Sequence, residues 1–214
     1  MKLRWRAFAA TTAATFVVCG LSGCSLLLIP QVAPPRPFTG SLPLDAGDIL
    51  ARDEWTIAWG DDLERERGFT PVDSYHGGGT AFESRDDGCT VTMWETMLTD
   101  SAKDRDDATL SDLLLGMEAR MRSVEVEEYA FTEMLVVGAG DAEEGFGDID
   151  FRALWYGDDE SSYVIAARAV SSLDMGLVLA VDCDAGDETA LDFFDLVSDD
   201  LLTVSIESMG YPAP

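Results

Sequence analysis

Residues 149–183 contain three consecutive strand-like segments, and this pattern limits the possible folds more than any other feature of the chain. The segments are residues 149–155, 163–169 and 177–183. In the first two, apolar side chains recur at every second position, which places them on one face of a β-strand. The third is apolar on both faces, as is typical of a central strand. Because short turns separate the segments, the sequence predicts a three-stranded antiparallel meander.

A β-hairpin is predicted ahead of the meander. Residues 80–85 and 89–98 are strand-like runs on either side of Asp87-Gly88, a dipeptide that is typical of tight hairpin turns. Residues 129–137 form a further predicted strand.

Two amphipathic helices complete the predicted elements. The first spans residues 109–122, with Thr109 as its N-cap and Asp112 three residues later. Its apolar side chains share one helical face: Leu110, Leu113, Leu114, Met117 and Met121. The second runs from Thr189 to about Ser205, and its predicted core face carries Phe194, Val197 and Leu201.

The fold class follows from the order of these elements, which is hairpin, helix, meander and terminal helix. The sequence predicts an α+β domain at residues 51–210, built on a single mainly antiparallel sheet with flanking helices. A mature length of about 190 residues suits one domain with its own core.

The N-terminus has the features of an export signal. Lys2, Arg4 and Arg6 precede an apolar stretch that is too short to span a bilayer. The motif Leu21-Ser22-Gly23-Cys24 then resembles the lipobox of bacterial lipoproteins of actinobacterial type. That resemblance implies removal of residues 1–23, lipidation of Cys24 with palmitate, and attachment to the extracytoplasmic face of the cell membrane.

Element order and anchor together resemble the PsbP-like fold of lipid-anchored proteins of the LpqN type, over residues 55–207. This resemblance implies a non-catalytic domain that binds a protein or a small ligand. A cystatin-like or NTF2-like cone is the alternative fold. Such folds open with a long helix, which "WTIAWGDDLERERGF" would have to supply.

Residues 24–50 are predicted to be the lipid anchor and a proline-rich linker. Five of the eight prolines fall between Pro30 and Pro43, and proline keeps a chain extended and outside helices.

Charge excludes some partners. The formal net charge is −27, and without the three basic residues of the signal it is about −30. Such a surface repels nucleic acid and anionic lipid headgroups and favours cations or basic partners. No nucleic-acid partner is therefore expected.

Cys89 and Cys183 are predicted to form a disulfide. The exported side of a membrane permits disulfides, and Cys89 begins one predicted strand while Cys183 ends another. In antiparallel neighbours those two ends lie side by side, so the bridge also predicts that the two strands are paired.

Catalytic and metal sites have weak support. His76-Gly77-Gly78-Gly79 matches the oxyanion loop of some lipases and esterases, but the chain has no Gly-x-Ser-x-Gly elbow and no second histidine. Classical zinc sites are disfavoured because histidine and cysteine, their usual ligands, are scarce. The acidic clusters could hold calcium weakly, although solvated loops explain them better. They are Asp141, Glu143, Glu144, Asp148 and Asp150; Asp158, Asp159 and Glu160; and residues 182–188.

Five aromatic residues could line a groove for a glycan or an apolar ligand, although most aromatic side chains in a domain of this size pack inside. They are Trp55, Trp59, Trp94, Trp155 and Tyr156.

The sequence thus predicts a membrane-anchored, non-catalytic binding or assembly domain that needs no cofactor. An envelope-acting hydrolase is the alternative, and an exposed Ser–His pair or a cleft with two carboxylates would favour it.

Overall fold

The computed structural model divides the chain into two units, residues 1–31 and 32–214. It describes residue 38 and the ranges 40–46, 49–60, 62–73, 79–99, 105–123, 130–137, 147–184 and 189–209, all in the second unit.

Nine strands and three helices form in the described ranges. The strands are β1 (Trp55–Trp59), β2 (Phe69–Val72), β3 (Thr80–Ser84), β4 (Cys89–Met97), β5 (Ala130–Val137), β6 (Gly147–Gly157), β7 (Ser162–Val170), β8 (Met175–Cys183) and β9 (Val204–Ser208). The helices are α1 (Asp62–Arg65), α2 (Asp107–Met121) and α3 (Thr189–Asp200). Seven strands make one sheet in the order β2-β3-β4-β8-β7-β6-β5, and β1 pairs with β9 in a separate ribbon. The domain is therefore α+β, with a mainly antiparallel sheet.

The predicted meander is confirmed as β6, β7 and β8. Each neighbouring pair is antiparallel, with Arg152 opposite Ala167 and Ala166 opposite Leu179. As predicted, β8 is central, because it lies between β7 and β4. Its residues from Leu177 to Val181 are buried.

The predicted hairpin and the predicted strand at 129–137 are also confirmed, as β3–β4 and as β5. Gly88 lies in the turn before β4 with φ of 65°. Glycine adopts this left-handed conformation without the steric penalty of a Cβ atom, which explains why the turn ends on this residue.

Helix α2 forms as predicted, and Leu110 of its predicted apolar face is buried. Its N-cap was predicted wrongly, and three of the five residues of that face are exposed. Asp106 is the N-cap, and its Oδ1 accepts a hydrogen bond from the Thr109 N–H at 2.7 Å. Predicted core residues Leu113, Met117 and Met121 are 38%, 59% and 61% exposed. The helix packs on the sheet through Leu115 and Ala119, and Ser111 and Gly116 are also buried.

The terminal helix is shorter than predicted, since α3 ends at Asp200 rather than near Ser205. The amide groups of Leu201 and Leu202 both donate to the Val197 carbonyl, at 3.0 and 2.8 Å, as the helix ends. The chain then forms β9, which the sequence analysis did not predict. Val204 and Ile206 alternate into the core on this strand, and Ile206 lies opposite Ile57 of β1.

Both faces of the large sheet are covered near its centre. One core contains Phe151 and Val181 of the sheet with Phe194 and Val197 of α3. On the opposite face, Leu115 and Ala119 of α2 pack in a cluster with seven residues of the sheet: Trp94, Leu154, Tyr163, Ile165, Ala167, Val178 and Ala180.

The packed domain begins before residue 51, which corrects the predicted linker boundary at residue 50. Leu42 and Leu50 are only 1% exposed. The Leu42 N–H donates to the Asp148 carbonyl at 2.7 Å, and the Asp150 N–H donates to the Leu42 carbonyl at 3.2 Å. Residues 24–37 lie outside the described residues.

Residues 55–60 and 62–72 do not form the long opening helix that a cystatin-like or NTF2-like fold needs. They form β1, the single turn α1, and β2. Pro71 lies in β2, at one edge of the sheet, a position where the missing N–H of proline is tolerated.

Candidate functional site

Two adjoining hollows lie between α1 and strands β2, β3 and β4, and together they are called the groove below. The larger has a volume of about 430 Å³ and is lined by Leu63, Glu64, Phe69, Pro71, Val72, Gly79, Thr80, Ala81 and Phe82. The smaller, about 170 Å³, is lined by Trp59, Gly60, Glu64, Thr80, Phe82, Met93 and Glu95. Glu64, Thr80 and Phe82 line both, so the hollows share a wall.

The groove has an apolar floor that continues into the core. Leu63, Phe82 and Met93 are buried and belong to the same cluster as α3 and the β1–β9 ribbon. Thr80 and Phe82 are two residues apart on β3, so their side chains lie on the same face of the strand. Thr80 is also opposite Met93 of β4, which brings the two strands together at the smaller hollow.

Trp59 lines the smaller hollow, and three contacts fix its position. Its ring stacks on Phe151 with centroids 5.6 Å apart, and its Nε1–H donates to the Trp94 carbonyl at 3.2 Å. Its backbone N–H donates to Oε1 of Glu95 at 3.1 Å. The last contact also orients the Glu95 carboxylate.

The ionisable side chains that line the groove in the described residues are two carboxylates, Glu64 and Glu95. Both residues are exposed. The groove therefore combines an apolar floor with negative charge at its surface, and Thr80 supplies a hydroxyl group that both hollows share.

A second polar cluster lies inside the domain, around the fully buried Arg168. Its Nη2 donates to Asp107 Oδ2 at 3.0 Å and to the Pro43 carbonyl at 3.1 Å, and its Nη1 donates to the Asp150 carbonyl at 3.3 Å. Burial lowers the pKa of Arg168, and the nearby carboxylates of Asp107 and Asp150 oppose that shift.

This cluster fills a gap in the sheet. The pairing of β6 with β7 ends at Arg152 and Ala167, so the next residues of β7 lack β6 as a neighbour. The Ala169 N–H donates instead to Ser111 Oγ of α2 at 2.8 Å. Because the cluster is enclosed and its hydrogen bonds satisfy the backbone, it has a structural role.

Arg122 forms a further contact set at the C-terminal end of α2. It bonds the Asp182 carboxylate through Nε at 3.2 Å and Nη2 at 3.1 Å, and its guanidinium lies 5.7 Å from the centroid of the Tyr163 ring. Burial raises the pKa of Tyr163 to about 12, although the Arg122 charge opposes the shift. The phenol thus stays protonated at neutral pH, and the set joins α2 to the sheet.

The predicted disulfide is present. Cys89 and Cys183 are bridged, with Cα atoms 4.1 Å apart, and they face each other in the antiparallel pairing of β4 with β8. Both residues are buried. Cys24 and His76 lie outside the described residues.

The acidic clusters singled out in the sequence lie only partly in the described ranges. There, no three His, Cys, Asp or Glu side chains lie close enough together to hold a metal ion. Asp158 Oδ1 accepts the N–H groups of Glu160 and Ser161, both at 2.9 Å, so this residue closes the β6–β7 turn. Asp141, Glu143, Glu144 and residues 185–188 are outside the described residues.

The five aromatic residues singled out in the sequence do not share one surface. Of these, Trp59 lines the groove. Trp94 packs under α2, Trp55 contacts Phe38 edge to face, Trp155 packs against the α3-side core, and Tyr156 stacks on Tyr163. Sequence reasoning missed the groove because its lining comes from five elements, three of which, β1, α1 and β2, were not predicted.

No helix in the described part of the chain is long and apolar enough to cross a membrane. No family model matches the chain, and no curated protein matches it. Among solved structures, the chain is similar to the crystal structure of human STARD10, with 9% identity and a TM-score of 0.22. The match covers 64% of this chain and 69% of that one. A TM-score this low does not show a shared fold.

Proposed function

We propose that the chain is a lipid-anchored extracytoplasmic lipoprotein with a PsbP-like, non-catalytic binding domain whose ligand enters the groove. The anchor would be Cys24, and the membrane its first partner. An antiparallel sheet with a helix on each face supports the PsbP-like assignment.

The anchor proposal rests on residues 1–24 and on the chemistry of the motif. A thiol can carry a thioether-linked diacylglycerol, and two acyl chains anchor a protein stably where one does not.

The groove is the observation that carries the binding proposal. Its larger hollow, about 430 Å³, falls within the range of about 300–1,000 Å³ that is usual for small-molecule sites. An apolar floor with a few polar groups at the opening is also usual for such sites. Trp59 supplies an aromatic side chain to the lining of the smaller hollow.

The lining supports binding more than catalysis. The described lining residues include a single hydroxyl, that of Thr80, and no histidine, cysteine or lysine. One observation favours the alternative of an envelope-acting hydrolase, because Glu64 and Glu95 both line the smaller hollow. Glycoside hydrolases use two carboxyl groups on either side of the bond that they cleave.

Filling the groove tests the binding proposal. We would express residues 32–214, which hold the whole described core and both bridged cysteines, and incubate them with an envelope extract. Native mass spectrometry would then detect retained small molecules. Thr80→Trp should abolish retention because Thr80 lines both hollows. The control is Thr56→Trp, an exposed position on β1 outside the groove, and it should retain the ligand.

Equal retention by the wild-type protein and the Thr80→Trp variant would overturn the groove as the binding site, provided that both melt at the same temperature. The hydrolase alternative predicts a different result. It requires new reducing ends in a glycan fraction after incubation, and their loss in Glu64→Gln and Glu95→Gln.

A further inference from the structure

We infer that the ligand of the groove is an organic cation that carries an apolar chain. This inference rests on the proposed binding function and adds the chemical class of the ligand. It is carried by the position of Glu64, which lines both hollows at their shared wall.

The apolar chain is matched by the larger hollow. Leu63, Phe69 and Phe82 contribute its wall and floor, and Pro71 and Val72 extend the apolar lining toward the edge strand. An alkyl or aryl group placed there would be removed from water against side chains that already belong to the core or contact it.

The positive group is matched by the smaller hollow. Glu64, Glu95 and Trp59 all line it. Carboxylates and an aromatic ring are the groups with which proteins recognise quaternary ammonium ions. Among the described lining residues no basic side chain competes for them, since Arg65 follows Glu64 in α1 but does not line either hollow.

The charge of the whole chain favours the same ligand class. A formal net charge of −27 attracts a cation and repels an anion before either reaches the groove. Because this field acts at every surface position, it cannot by itself place the ligand. A test must therefore separate the local carboxylates from the overall charge.

Three surfactants with one decyl chain supply that test: decyltrimethylammonium, the neutral decyldimethylphosphine oxide, and decyl sulfate. Each is titrated calorimetrically into residues 32–214 below its micelle concentration. We expect decyltrimethylammonium to bind at one site, several-fold more tightly than the neutral probe, and decyl sulfate to bind most weakly. Glu64→Gln should lower the affinity for the cation by about three-fold, and the double change with Glu95→Gln should lower it by about ten-fold. Neither change should alter the affinity of the neutral probe.

Glu83→Gln is the matched control. Glu83 is exposed on the same strand as Thr80 but does not line the groove, so this change removes one charge without touching the site. The inference is overturned if the cation and the neutral probe bind equally, or if Glu83→Gln weakens the cation as much as Glu64→Gln. The binding function would survive either result. If no probe binds and Thr80→Trp changes nothing, the proposed groove function fails as well.

Discussion

The guanidinium of Arg168 joins three parts of the chain. It bonds the first turn of α2 through Asp107, the segment before β1 through the Pro43 carbonyl, and β6 through the Asp150 carbonyl. Asp107 in turn accepts the N–H of Ser171 at 2.8 Å. The side chain of Arg168 is 0% exposed and that of Asp107 is 2% exposed.

Arg168→Met should lower the free energy of unfolding by about 3–5 kcal/mol, since it leaves the Asp107 carboxylate buried without its partner. Urea denaturation of residues 32–214 measures this. Arg52→Met is the control, because Arg52 is 62% exposed in its ion pair with Asp174 and should contribute less than about 1 kcal/mol. Equal stability of the two variants would contradict the structural role of the buried pair.

Asp195 gives a pH-dependent prediction. Partial burial raises its pKa, and the neighbouring Asp199 and Asp192 charges raise it further. An acid whose pKa is raised in the folded state destabilises the fold above that pKa, and the effect disappears below the unfolded value of about 3.9. Asp195→Asn should therefore raise the melting temperature at pH 7, and the gain should shrink as the pH falls toward 3.9.

Asp158→Asn should have the opposite effect on the melting temperature at pH 7, which it should lower. Hydrogen bonds from the Glu160 and Ser161 backbone lower the pKa of Asp158, so its carboxylate stabilises the fold above the unfolded pKa. That contribution is lost as the pH falls through the lowered value. Melting temperatures from pH 7 to pH 2 should separate the two variants, and parallel curves would contradict both assignments.

At the scale of elements, the disulfide joins β4 to β8 across a sequence separation of 94 residues. Closing a loop of that length restricts the unfolded chain and contributes on the order of 4–5 kcal/mol in the chain-entropy model. Cys89→Ala with Cys183→Ala should therefore lower the melting temperature by roughly 10–15 °C. Calorimetry with and without reductant measures the shift.

The double variant is also the control, because reductant should leave its melting temperature unchanged. If the wild-type protein melts at one temperature with and without reductant, while alkylation shows two free thiols only in the reduced sample, the expected contribution of the bridge is wrong.

At the scale of the whole molecule, the anchor and the domain should be separable. Cys24→Ala should abolish incorporation of labelled palmitate and release the protein from the membrane fraction, because the thiol is the attachment point. The melting temperature should not change, since the buried clusters of the described residues lie between Phe38 and Ile206. Label that persists on the variant would contradict the lipobox assignment.

The sequence by itself determined six of the seven strands of the large sheet, β3 to β8, because alternating or continuous apolar runs bounded by turns are local properties of each segment. It also predicted the Cys89–Cys183 bridge, since two body cysteines at opposite ends of apolar strands leave few arrangements. Gly88 in the hairpin turn is local in the same sense, as its positive φ depends on its own backbone.

Only the tertiary structure decided which side of α2 faces the sheet and which strand pairs with β9. Met117 and Met121 share an apolar stripe with the buried Leu110, yet both methionines are exposed. Helix α2 is turned so that Leu115 and Ala119 pack against the sheet, because the apolar residues of the sheet that cover them come together only in the folded chain. Strand β9 needed β1 as a partner 149 positions earlier, at Ile57 and Ile206. The groove needed five elements that meet only in the folded chain, and no local pattern encodes such a meeting.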